Sequence, residues 1–362
     1  MINNFDGRID KKLKFIYWFA FYNPDSPSVR YRAQYPLDYL KNNYGISFYL
    51  VIPSYKTSRI LKFIWAYFSA LLFRKPNSLI VIQRLNSNFI YANLLRLLIK
   101  IQKTNTVYDL DDAIYLENPP RTIFYYIKNC SALSVGSNEL YKSLSKFNKN
   151  IHINTSPTPN LDISKKHKNS VLTIGWIGEF GGGHKESLTR YFFPALKELP
   201  FKIKLVLLGV VDASEYEFLT GYFKNVDSVL LEMPQDIPWK DERYIQECIA
   251  EFDIGVATLL DTEIQRSKSG FKAKQYLNNG VPVLSPDIPE NNCFVKHGYN
   301  GFLCPAPSDY RDRIIEISEM SQERYAALSS NCRQSIRHFD LAKYCSDFQS
   351  IYKNAVPMDL GR

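Results

Sequence analysis

The chain has 362 residues, more than one hydrophobic core usually supports, so two domains of ordinary size are expected. Its apolar fraction is that of a globular protein and it holds no low-complexity tract or internal repeat, which excludes fibrous, solenoid and disordered classes. The formal charge of +9 admits nucleic acid, anionic lipid or a phosphate-rich substrate, but the bases are not interleaved with aromatic platforms, so no nucleic-acid partner is expected.

In chain order, Lys11, Lys12 and Lys14 lead into the apolar run Phe15 to Phe21, which is too short for a secretory signal and reads as a first strand. Further short β-rich runs follow at Ile46 to Ile52, Leu79 to Gln83, Thr106 to Leu110, Ala132 to Val135 and Ile151 to Asn154, alternating with helical patterns. That alternation predicts a parallel sheet with crossover helices. Two of the helical stretches are unusually apolar. Ile60 to Phe73 is flanked by Lys56, Arg59, Arg74 and Lys75, and Phe89 to Ile101 carries Arg96 and Lys100. Both are too short to span a bilayer; they read either as crossover helices covering the sheet or as an interfacial surface against an anionic membrane.

Thr155 to Ser170, with two prolines and a polar run from Ser164 to Ser170, reads as a linker. Strand patterns then restart at Leu172 to Ile177, Lys204 to Gly209, Ser228 to Leu231, Ile254 to Ala257 and Val281 to Leu284. The expected organisation is a first domain over 1–157, a linker over 158–170, a second domain over 171–340, and a helix within 341–362 that packs back on the first domain. Two such α/β sheets facing each other place a ligand cleft at the carboxyl ends of their strands. The six cysteines show no paired spacing and no histidines to complete a metal site, which fits a reducing cytoplasm.

The strongest chemical signal runs from Ser269 to Val283: a loop, a short helix, a glycine stop at Gly280 and a strand. Its helix start at Gly270, Phe271 and Lys272 offers backbone N–H groups and the positive end of a helix to a diphosphate, with Lys268 adding charge. The second sheet opens with Ile174 to Gly178, followed by the glycines Gly181, Gly182 and Gly183 and by Lys185, a turn that lets backbone approach phosphate. The competing reading of those glycines is a merely flexible loop. In the first half, Ser28-Val29-Arg30-Tyr31-Arg32 precedes an amphipathic helix expected to start near Gln34. Tyr108-Asp109-Leu110-Asp111-Asp112 ends a strand on which Asp109 and Asp111 point the same way, as a pair of carboxylates for ligand hydroxyls. Alternatively Asp111 pairs with an arginine and Asp112 caps a helix.

The Ser269 to Val283 stretch resembles the donor-binding segment of retaining glycosyltransferases of family 4, the group 1 glycosyl transferases. Asp253-Ile254-Gly255-Val256-Ala257 looks like the strand before that segment, and Gly298 to Leu303 like the turn after it. The likeness extends from about Phe15 to Tyr352. It implies a GT-B fold, with two Rossmann-like parallel-sheet domains facing each other across a cleft, and a nucleotide-sugar co-substrate with no metal required. By resemblance, Lys185, Lys268 and Lys272 are the catalytic cations. Gly178, Gly182, Gly183, Ser269, Gly270, Phe271, Gln275 and Glu263 bind donor, and Ser28, Arg30, Arg32, Asp109, Asp111 and Asp112 bind acceptor. Departures are also present: Ser267 and Gln275 stand where many relatives carry glutamates, Glu179 where many carry a base, and Cys293 near a usual acidic position. Ser267 cannot supply a carboxylate to the sugar.

The function so implied is retaining transfer of a sugar from a nucleotide-sugar donor to a glycan or polyprenyl-diphosphate-linked glycan, in surface polysaccharide assembly. The expected location is the cytoplasm, peripheral on the inner face of the membrane. A dehydrogenase is excluded because Tyr17 to Ser28 holds no glycine. Two alternatives stay open: a non-catalytic carbohydrate- or nucleotide-binding scaffold, and a nucleotide-sugar epimerase on the same fold.

Overall fold

The computed structural model describes residues 12–20, 26–52, 56–84, 89–116, 121–159, 161–165 and 167–355. Lys11, Phe21 and Lys166, which figure in the sequence readings above, lie outside the described residues. The chain divides into two compact units, the first made of Met1–Thr155 with Leu341–Arg362 and the second of Ser156–Asp340.

The first unit is built on a six-stranded, wholly parallel sheet of β1 (Phe15–Ala20), β2 (Ser47–Val51), β3 (Ser78–Gln83), β4 (Thr106–Leu110), β5 (Ala132–Val135) and β6 (Ile151–Ile153), in the order β2-β1-β3-β4-β5-β6. The central strands are buried on both faces, which is why they read as unbroken apolar runs and not as alternating ones. One face is closed by the helices Thr57–Leu72, Phe89–Gln102 and Arg121–Asn129; the other is closed by Tyr35–Tyr44 and the final helix Leu341–Ala355. Trp18 of β1 meets Phe348 of the final helix with ring centroids 5.3 Å apart.

The second unit holds β7 (Thr173–Ile177), β8 (Ile203–Leu208), β9 (Val229–Glu232), β10 (Ile254–Val256), β11 (Val283–Ser285) and β12 (Gly301–Leu303), again all parallel, in the order β12-β11-β10-β7-β8-β9. Read from β9, this is the 3-2-1-4-5-6 order of a dinucleotide-binding sheet, and its order reverses between β7 and β10. Tyr276 bridges that point: its hydroxyl accepts from Ile177 N at 3.0 Å and donates to Val256 O at 3.3 Å.

Both units share a device the sequence reading missed. A π-helical turn, Arg30–Gln34 in the first and Leu188–Phe192 in the second, directly precedes a helical segment with proline at its second position, Pro36 and Pro194. Proline has no N–H to return to the carbonyl four residues back. The wider turn closes instead on Tyr35 N to Arg30 O and Phe193 N to Leu188 O. The carbonyl of Arg32, deprived of Pro36, accepts from the Tyr344 hydroxyl at 3.1 Å.

Three expectations need correction. The helix expected near Gln34 begins at Pro27, because proline's fixed φ suits a first helical turn, so Ser28, Arg30 and Arg32 lie within helical backbone. Residues 161–165 and 167–170 form no regular element but are not a loose connector. The buried Lys165 pairs with Asp253 at 3.1 Å, and the same carboxylate accepts from Asn169 N and Thr173 N, pinning the segment to the second unit. Gly301–Leu303, read as a turn, adds an edge strand.

Candidate functional site

The sheet order places a ligand crevice of the second unit at the carboxyl ends of β7 and β10. β7 ends at Ile177 and runs into Gly178, whose φ of +146° suits glycine. A Cβ there would meet Lys272 Cε at 2.8 Å and Nζ at 3.2 Å, so the Lys272 ammonium lies directly over the turn. Gly182 and Gly183 open the short helix Gly182–Ser187. From the β10 side, Gln265 reaches to within 2.2 Å of where a Gly183 Cβ would stand, while its carbonyl oxygen accepts from Leu260 N at 3.1 Å. A side chain at Gly183 would push the Gln265 amide aside.

Lys272 rises from the first turn of the helix Phe271–Asn278, which is capped by Gly270 at φ +60°. A Gly270 Cβ would meet the Phe294 ring at 2.6 Å. The first N–H groups of any helix lack intrahelical partners, and its N-terminus carries partial positive charge. The Lys272 Nζ lies 3.1 Å from His184 Nε2, which accepts from the ammonium, so the imidazole proton sits on Nδ1. The nearby Lys272 charge, then burial, then Lys268 push the His184 pKa down to about 2. The imidazole is therefore neutral, and the positive charge belongs to the two lysines. His184 was not among the residues singled out from sequence; its signal was only its position after three glycines at a helix start.

Lys185, expected to act with the other two lysines, has an acidic and an aromatic partner. Its Nζ is 2.6 Å from Glu215 Oε2 and 3.9 Å from the centre of the Phe218 ring. Ser269 and Gln275 are buried on or beside the helix, and Phe271 opens it. Glu263 is exposed at the start of Glu263–Arg266, and its carbonyl accepts from the buried Ser267 hydroxyl at 2.8 Å. Glu179 is exposed beside the glycine turn. Among the described residues, no group of at least 3 His, Cys, Asp or Glu is placed to hold a metal ion.

In the first unit five of the six expected acceptor residues fall into two groups. Arg32 and Asp109 are fully buried, paired at 2.5 Å and 2.9 Å, with Arg32 also donating to Asn154 O at 2.8 Å. With no exposed surface, the pair is a strut joining a helix to β4 and cannot be the open carboxylate expected at Asp109. Asp111 lies past the end of β4, and its carboxylate accepts from the Ser28 hydroxyl at 2.5 Å and sits 3.1 Å from Arg84 Nε. Arg84 also pairs with Asp112 and donates to Ser28 Oγ at 3.1 Å. Burial alone would raise the Asp111 pKa, but Arg84, Arg32 and the Ser28 hydroxyl outweigh it and hold the carboxyl below its usual range. Asp111 thus takes the arginine-paired alternative, and Asp112 is salt-bridged to the same arginine. Arg30 is nearly buried, its guanidinium 5.7 Å from the Tyr31 ring centre. Arg84, at the end of β3, is the central cation here and was missed, since nothing in a lone arginine after a strand marks it.

No protein-family model matches the sequence, and no curated protein matches it. Solved structures do match in fold. A glycosyltransferase from Rickettsia africae ESF-5 superposes with a TM-score of 0.69 at 12% identity, covering 95% of this chain and 98% of that one. Anabaena HepE, solved in complex with UDP and glucose, gives 0.65 at 13% identity, covering 94% and 99%. The lipopolysaccharide outer core galactosyltransferase WaaB gives 0.63 at 13% identity, covering 94% and 100%. At such identities the likeness establishes the fold: two Rossmann-like units of the GT-B class.

Proposed function

We propose that this chain is a glycosyltransferase that takes a nucleotide-diphosphate sugar as donor and transfers the sugar, with retention at the anomeric carbon, to a glycan or lipid-linked glycan of a surface polysaccharide. The observation that carries the reading is the convergence of Lys272, Lys268 and two glycine-built backbone turns at the β7/β10 crossover of a Rossmann sheet. The solved neighbours support it by their chemistry: HepE binds UDP and UDP-glucose, and WaaB is a galactosyltransferase.

Breaking the sugar–phosphate bond leaves negative charge on the departing diphosphate and positive character on the sugar. In this reading Lys272, Lys268 and the N-terminus of Phe271–Asn278 stabilise that leaving charge. In the retaining course, the acceptor hydroxyl attacks the face the diphosphate vacates and passes its proton to the departing phosphate oxygen. Arg84, Asp111, Asp112 and Ser28, at the carboxyl ends of β3 and β4, are the polar groups proposed for the acceptor's hydroxyls. The scaffold alternative draws on Ser267, whose hydroxyl is spent on the Glu263 carbonyl.

The test is a thermal-shift screen of nucleoside diphosphates and their sugars against the wild-type chain and Lys272→Ala. A ligand at about a hundred times its Kd stabilises by about 2.7 kcal/mol. One nucleotide is expected to raise Tm, with affinity falling about 10-fold to 100-fold in the variant, as for loss of a charged hydrogen bond. No shift with any nucleotide overturns the proposal; binding without release of nucleotide from donor in the presence of acceptors favours the scaffold.

A further inference from the structure

The first unit turns two apolar faces outward where soluble proteins turn polar ones. In the helix Thr57–Leu72, Phe63, Ala66, Tyr67 and Ala70 face the sheet, yet Leu61, Trp65, Phe68 and Leu72 form a second stripe at helical spacing on the solvent side. The helix Phe89–Gln102 repeats this, with Ala92, Leu95 and Ile99 inside and Ile90, Leu97 and Ile101 outside. Trp65 is 68% exposed, Phe73 77% and Phe89 80%. Each such aromatic leaves on the order of 100 Å² in water, so the patch exceeds the few hundred Å² a monomer ordinarily shows.

The two helices are neighbours. Phe63 and Tyr91 rings meet at 4.3 Å, and Gln102 donates to Leu71 O at 3.0 Å. Arg74, expected from sequence as a surface flank, instead braces their ends, donating to Gln102 Oε1 and Thr104 O at 3.0 Å each. The outward stripes therefore make one continuous face.

Its charge selects the occupant. From Tyr39 to Tyr108 the chain carries no Asp or Glu, while Lys62, Arg96, Lys100 and Lys103 are exposed on or beside the apolar stripes. The cores of protein–protein interfaces are depleted of lysine, whereas at a bilayer surface a lysine lays its stem along apolar neighbours and keeps its ammonium among headgroups. A helix of 16 residues is about 24 Å long, too short to cross a bilayer but suited to lying in its surface. We infer that this face docks the first unit on an anionic lipid bilayer, with Trp65, Phe68 and Phe89 in the interfacial layer and the lysines on acidic headgroups. Nothing in the inference depends on the donor site.

The test is co-sedimentation of the full chain with vesicles of phosphatidylcholine alone and of phosphatidylcholine with one-third phosphatidylglycerol. The chain is expected on the acidic vesicles only, with binding weakened by salt. Trp65→Ser/Phe89→Ser is expected to lose binding at least tenfold, and Lys62→Glu/Lys100→Glu more than tenfold, at about fivefold for each base removed. All four positions are exposed, and an unchanged Tm certifies the fold. Equal binding to both vesicle types, no binding, or retention by the serine variant would overturn the inference. So would concentration-dependent self-association that the serine variant abolishes, because a second copy would then be the occupant.

Discussion

Replacing His184 with glutamine isolates the contact between Lys272 and the glycine turn, because glutamine keeps an acceptor for the ammonium but removes the titration. In the folded chain His184 holds its proton only near pH 2, against 6.5 for an ordinary histidine. Between those values the unfolded chain binds a proton that the folded chain does not, so this group's stabilisation is complete above about 6.5 and is lost as pH falls below it. Integrating that difference from about pH 7.5 to about pH 5.5 gives a loss of about 1.4 kcal/mol. The assay is urea denaturation of wild type and His184→Gln at both pH values. All other titrating groups cancel between the two proteins, and wild type should lose about 1.4 kcal/mol more than the variant. If the two proteins lose the same amount, or if His184 is seen to titrate near 6.5, the neutral imidazole under Lys272 is wrong, and so is the assignment of the site's charge to the lysines.

Arg32→Met, which strips the partner from the fully buried Asp109, is expected to lower stability by about 3–5 kcal/mol in denaturant melts; a stable variant with only acceptor binding impaired would contradict the strut. Arg84→Gln removes the main cation opposing the effect of burial on Asp111. Its cost should be greatest at neutral pH and shrink in acid, vanishing only below 3.8 where the folded wild-type carboxyl takes up its proton, a trend that denaturation across the acid range would reveal. Gly270→Ala combines a positive φ with an approach to Phe294 and should cost about 2–3 kcal/mol by thermal melting. By contrast, Gly221→Ala, exposed in the helix Ala213–Phe223 with no atom within 4 Å, should stabilise by about 0.5–1 kcal/mol.

Strands buried on both faces write themselves into sequence as short apolar runs, which is why Thr106–Leu110 and Ala132–Val135 are legible to the residue. Gly301–Leu303 is not, because a three-residue edge strand beginning with glycine has the composition of a turn. The candidate site's glycine turn and helix start were legible, because both are set by local chain geometry. What local pattern cannot carry is the partner of a charge. Lys185 sits next to the glycines in sequence, but Glu215, thirty residues on, holds it. Asp109 and Asp111 alternate along the chain as strand geometry suggests, yet Arg32 and Arg84 arrive from other elements and give them separate roles. The π turns at Arg30–Gln34 and Leu188–Phe192 likewise follow from an interaction between proline and its neighbours that no hydrophobic period records.

The return of the helix Leu341–Ala355 to the first unit bears on how the chain is made. Tyr344, Cys345, Phe348, Ile351 and Tyr352 belong to the same core as Trp18, Val29 and Leu37, so the part of the first sheet that this helix covers stays open until residues 341–355 have left the ribosome. The second unit is contiguous, from Ser156 to Asp340, and every one of its core residues has emerged by then. Vectorial synthesis ordinarily completes the amino-terminal domain first. Here the order is inverted: the first unit cannot close until Leu341–Ala355 has emerged, after the whole of the second.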